Sequence, residues 1–120
     1  MAIRSGTYKY KFTVDDYHRM LEAGVFTEDS PVELIEGEIL EMAPVGSRHA
    51  ACVDRLNRHF SRVLGDRAIV RVQSPVRLSE VSEPDTDVAL LEPRDDYYAS
   101  DHPSPSDILL LVEVADSSSR

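Results

Sequence analysis

Between Ser47 and Leu64 the chain carries one long helical pattern, and its segments of strand character lie before and after it. Val53, Leu56, Phe60 and Val63 recur at steps of three and four, which draws a single apolar stripe along a helix. His49, four residues before Val53, carries the stripe into the first turn. Arg48, Arg55 and Arg62 recur every seven residues, with Arg58 between them, on a different face. Gly65 supplies the stop. One amphipathic helix embedded among strands points to an α/β or α+β domain built around a mixed sheet.

The flanking segments fill in that plan. Thr13 ahead of Val14-Asp15-Asp16-Tyr17 reads as an N-cap with acids in the first turn, so a short helix is expected over about 13–23, ending near Gly24. Val32 to Ile35 and Glu38 to Met42 read as a β-hairpin, with Gly37 giving the positive φ of a tight turn. After the long helix, 68–72 and 76–78 are expected as strand, broken or bent at Ser74-Pro75. Residues 80–86 read as a polar loop, Val88 to Leu91 as a strand introduced by Asp87, and 92–107 as a surface loop. Ile108 to Val114 is almost continuously apolar, the pattern of a strand buried on both faces. Ser117-Ser118-Ser119 reads as the start of a turn or helix cap.

Composition narrows the function. A length of 120 residues suits one domain, read here as a polar leader over 1–11 and a single domain over 12–120. The longest apolar run, Ile108 to Val112, is far short of the roughly 20 residues that span a bilayer. The single cysteine, Cys52, allows no internal disulfide, so a reducing, cytoplasmic setting is expected. A net charge of −9 argues against a broadly basic nucleic-acid surface. It leaves room for an enzyme that meets phosphate locally, through a metal ion and a few arginines. The helix face bearing Arg48, Arg55, Arg58 and Arg62 is the one concentrated basic surface, hence the candidate for DNA backbone contact.

Two acids stand out by position. Glu113 sits in a strand pattern on the same side as Leu109 and Leu111, where an ionised carboxylate loses solvation unless something pairs with it. Alternatively it marks the strand's end, where that face opens to water. Asp87 stands at the head of another strand; alone it reads as a loop acid. If the two strands are sheet neighbours, both carboxylates project from one edge, and hard oxygen ligands of this kind suit Mg²⁺ or Mn²⁺. His49 reads either as a helix-start histidine near the core or as a group orienting a phosphate or water. Glu33, alternating with Leu34, fits either solvent exposure or a further metal ligand.

The segments Phe12 to Tyr17, Val32 to Glu38, Ser47-Arg48-His49, Pro84 to Leu91 and Leu111 to Ser118, in this order, resemble the Uma-two family. That family is grouped with the restriction-endonuclease-like folds of the PD-(D/E)xK nuclease superfamily. The resemblance implies a restriction-endonuclease-like mixed β-sheet with flanking helices, incomplete in this chain, which is expected to lack a C-terminal helix and strands. It implies that Asp87 is the PD aspartate, with Thr86 where proline is usual, and that Glu113 is the acid of the (D/E)xK element. Glu33 and His49 match other recurrent polar positions. Ala115 stands where the standard element has lysine. The expected activity is phosphodiester hydrolysis of DNA by a metal-activated water, with Asp87, Glu113, Glu33 and His49 as site residues. The alternatives are a non-catalytic binding or assembly module, in which the last strand's edge favours a homodimer, and an enzyme acting on another phosphate ester.

Overall fold

The computed structural model describes residues 6–27 and 29–115; the start of the polar leader and the turn at Ser117 to Ser119 lie outside the described residues. Helix α1 spans Val14–Glu22. The Thr13 hydroxyl accepts from Asp16 N while the Asp16 carboxylate accepts from Thr13 N, each at 3.0 Å, so two otherwise orphaned donors are satisfied reciprocally. Strands β1 (Val32–Ile35) and β2 (Glu38–Glu41) form an antiparallel hairpin in register Val32↔Glu41 to Ile35↔Glu38. Glu36 (φ 49°) and Gly37 (φ 80°) supply the two left-handed residues that a tight hairpin turn requires. Val14 and Tyr17 of α1 pack with Leu34 of β1 into one small core.

Helix α2 spans Ser47–Leu64, between Gly46 and Gly65, which leaves the helix at φ 52°. Strands β3 (Ile69–Pro75), β4 (Asp85–Leu91) and β5 (Ile108–Val112) form a second sheet in the order β3-β4-β5. Every strand pairing among the described residues is antiparallel. The central strand β4 is buried on both faces. Val88 and Leu90 meet Val53, Leu56 and Phe60 of α2. Ala89 and Leu91 face the other way, onto Val76 and Tyr98. The architecture is α+β, with two helices and two antiparallel sheets.

Several expectations are corrected. Strand β3 runs unbroken through Ser74-Pro75 and stops there, so 76–78 are not strand although Val76 is fully buried. Proline is tolerated because it is the strand's last residue, beyond which the ladder needs no donor. The polar segment over 80–86 is loop only as far as Pro84, and it folds inward. Ser82, Glu83 and Thr86 are all buried, and β4 already starts at Asp85. Asp87 therefore lies inside β4, not at its entrance. The 92–107 segment buries Tyr98 and Pro103 and contains a 3-10 turn at Pro105–Asp107. Strand β5 is not buried on both faces: Leu109 and Leu110 are 53% and 46% exposed, because β5 borders only β4 among the described residues. Along α2, Val63 is exposed, and Leu64, four residues after Phe60, takes its place against the sheet.

Candidate metal and nuclease site

The β4–β5 register pairs Val88 with Val112, so Asp87 and Glu113 are the next residues to face each other. Opposite residues of antiparallel strands send their side chains to one side of the sheet, with Cβ atoms about 5 Å apart. The two acids are also linked directly. Asp87 N donates to Glu113 Oε2 at 3.3 Å, and Val114 N donates to Asp87 Oδ2 at 2.7 Å. The other Asp87 oxygen, Oδ1, lies 2.9 Å from His49 Nε2, and both side chains are only 17% exposed. A carboxylate only accepts, so opposite an ionised Asp87 the proton of this bond sits on Nε2. His49 reaches β4 from the first turn of α2, which is where its place on the apolar stripe puts it.

Glu33 enters from the hairpin. Its Oε1 accepts from Asp85 N at 3.1 Å. Glu33, His49, Gln73, Asp85, Asp87 and Glu113 border one open cavity of about 520 Å³. Burial pushes the Glu33 carboxyl above its ordinary value; the Asp85 N–H pulls it down, and the charges of Asp85 and Asp87 push it up again. Glu113 is raised in the same way, first by burial and then by Asp87 and Glu33, against the Asp87 N–H and His49. The Glu113 side chain is nonetheless exposed, so water screens much of that effect. The acids thus feel one another's charge.

All four sequence-expected site residues, Asp87, Glu113, Glu33 and His49, border this cavity. Two others join them: Asp85, which the sequence offers only as an Asp-x-Asp with Asp87, a pattern common in loops, and Gln73, which it does not mark. Asp85 is two residues from Asp87 in the same strand, so alternation alone puts both acids on one side once β4 is known to begin at 85. Gln73 stands opposite Asp87, between the pairs Val72↔Val88 and Ser74↔Thr86, and holds a left-handed φ of 46°. A residue with a Cβ is uncommon there, and such strain gathers at functional sites; no local sequence signal announces it.

The donor set is oxygen-rich and suits a hard cation. Mg²⁺ characteristically takes one or two carboxylates and keeps several waters, and Asp87 with Glu113 offers that much. Among the described residues, no group of three or more His, Cys, Asp or Glu side chains is arranged to hold a metal ion. Lys9 pairs with Glu38 at 3.1 Å and Lys11 packs against Gly37, so neither lysine borders the cavity. Arg48, Arg55, Arg58 and Arg62 are exposed on α2 and form no ion pair among the described residues.

No helix among the described residues is long and apolar enough to cross a membrane. No curated protein and no solved structure matches the chain. The family model that does match is Uma2, described as "Putative restriction endonuclease", over residues 14–120. With most of its length matched, the chain belongs to the Uma2 family.

Proposed function

We propose that the protein is a divalent-metal-dependent endonuclease acting on DNA, with Asp87 and Glu113 as ligands of Mg²⁺ or Mn²⁺. The observation that carries this reading is the register of β4 and β5. Continued one residue past its last pair, Val88↔Val112, it brings the two acids face to face, where Asp87 N bonds Glu113 Oε2, with Glu33 close enough to raise the Glu113 pKa and no lysine at the cavity. Such a group of like charges is costly unless a cation joins it. When bound, the metal supplies an activated water and offsets charge developing on the phosphodiester. Asp87 is held for this task by Val114 N and His49 Nε2, which fix both of its oxygens. Glu113 Oε1 makes no hydrogen bond among the described residues, and the exposure of this side chain leaves room for water and substrate. Glu33, tied by one oxygen to Asp85 N, stands ready to accept a proton from an attacking water. The arginines of α2 meet the phosphate backbone. Ala115 brings no charge beside Glu113, so the charge-stabilising cation of the standard element is not supplied there.

The test is nicking of supercoiled plasmid with Mn²⁺ or Mg²⁺. Wild type is expected to cut, and Asp87→Ala and Glu113→Ala to lose cutting; variants that cut as well as wild type would refute the assigned site. A second reading, an assembly module, is favoured by the exposure of Leu109 and Leu110 on β5. It predicts concentration-dependent dimers in sedimentation, abolished by Leu109→Lys, and no heat on titration with Mn²⁺.

A further inference from the structure

We propose that His18 and Glu83 are positioning residues for the acid site, holding Glu33 beside Asp87; the inference rests on the reading of that site as a metal centre. Glu83 is 3% exposed. Its Oε1 lies 2.7 Å from His18 Nε2, and its Oε2 is buried with no hydrogen-bond partner among the described residues. A buried carboxylate with one partner and one unsatisfied oxygen is a costly way to fill space. An apolar pair of similar volume is often as stable or more so. What the acid contributes is therefore sought in geometry, the best-attested use of buried polar pairs.

The geometry converges on Glu33. Glu83 N donates to Leu34 O at 2.8 Å, which joins the segment leading into β4 to β1 one residue past Glu33. Two residues along, Asp85 N donates to the Glu33 carboxylate itself. On the other side, Tyr17 donates its hydroxyl to Val32 O at 3.2 Å, one residue before Glu33. Helix α1 thus grips β1 directly through Tyr17, and grips the approach to β4 through His18 and Glu83. Glu33 lies between the two grips. Among the described residues the His18–Glu83 bond is the only side-chain hydrogen bond between α1 and the segment at 82–86, and it ties the helix to the approach to β4. His102 stands edge-on to His18, with ring centroids 6.3 Å apart, and limits where the His18 ring can turn.

The test compares Mn²⁺ affinity and unfolding midpoint in the same variants. His18→Leu/Glu83→Leu is expected to unfold at or above the wild-type midpoint, yet to bind Mn²⁺ roughly tenfold more weakly, because Glu33 adds its charge to the carboxylates that attract the cation and its displacement acts on the scale of lost outer-shell support. His18→Gln, whose amide can still donate to Glu83, is expected to stay close to wild-type affinity, while His18→Ala weakens it. A purely structural pair would move the midpoint and leave the affinity alone. Wild-type affinity in the double leucine variant would overturn the proposal. If that variant does not fold, equal losses in His18→Gln and His18→Ala would overturn it, and recovery in His18→Gln would support it. A wild type that takes up no Mn²⁺ would overturn the metal reading and this proposal with it.

Discussion

An Asp87→Asn substitution removes a charge and leaves the outline of the side chain intact. The asparagine carbonyl can still accept from Val114 N, which now lies 2.7 Å from Oδ2. Its amide then faces His49, whose ring can change tautomer to accept. Weakening two charge-assisted bonds costs about 1 kcal/mol each. Relief of repulsion from Glu113 and Glu33 returns a comparable amount, since like charges about 5 Å apart repel by about 3 kcal/mol at an effective dielectric near 20, before solvent screening. Metal-free stability should therefore change by no more than about 1 kcal/mol. Metal separates the two proteins. At Mn²⁺ about 100 times its Kd, wild type gains about 2.7 kcal/mol. For a domain of this size that is about 8–13 °C of melting temperature, at about 3–5 °C per kcal/mol. The asparagine variant should shift by less than about 2 °C under the same conditions. Thermal unfolding followed by circular dichroism, near neutral pH with and without Mn²⁺, reads both numbers. An equal Mn²⁺ shift in the two proteins would refute the role given to Asp87.

Three other outcomes follow from particular contacts. Gly37→Ala should destabilise the fold by about 2 kcal/mol or more, read from urea midpoints, because φ is 80° and the new Cβ would lie 2.6 Å from Lys11 Cβ and 2.9 Å from Lys11 Cα. Arg55→Ala and Arg58→Ala should weaken DNA binding whatever the sequence, each lowering the slope of log affinity against log salt by about 1; unchanged slopes would take α2 off the DNA surface. Glu33 has a folded pKa raised above its ordinary 4.5, chiefly by burial, so the folded state holds that proton more tightly than the unfolded chain. Its stabilising contribution is complete below 4.5 and is lost as pH rises through the folded pKa. In metal-free buffer, the stability of Glu33→Gln relative to wild type should therefore climb as pH rises from 4.5, and a flat difference would contradict the shift.

The parts of the fold legible in sequence are those whose physics is local. Thr13 and Asp16 announce the start of α1 because a capping box needs only residues three apart. Glu36-Gly37 sets the hairpin register because the turn's dihedrals are fixed by its own two residues. The bounds of α2 follow from Gly46, Gly65 and a stripe repeating within one helix. The misread segments are those whose environment comes from elsewhere. Ser82, Glu83 and Thr86 look like a polar loop, yet they are buried because β1 and α1 close over them: Glu83 N finds Leu34 O, Glu36 N finds the Ser82 hydroxyl, and His18 finds the Glu83 carboxylate. Leu109 and Leu110 look like core, yet they lie exposed because no described strand adds to that side of β5.

The same division runs through the candidate site. Sequence by itself determined which groups are available: acids at 33, 87 and 113, a histidine at the head of α2, and alanine at 115. It also fixed the spacing of the arginines along α2. Only the tertiary structure decided that Asp87 faces Glu113, that His49 and Val114 N take the two oxygens of Asp87, and that Asp85 and Gln73 join them. The physical reason is that a strand's alternation fixes which side a residue shares with its own neighbours. Which residue of another strand lies opposite depends on register, and register is set by packing β4 against α2 on one face and against Val76 and Tyr98 on the other.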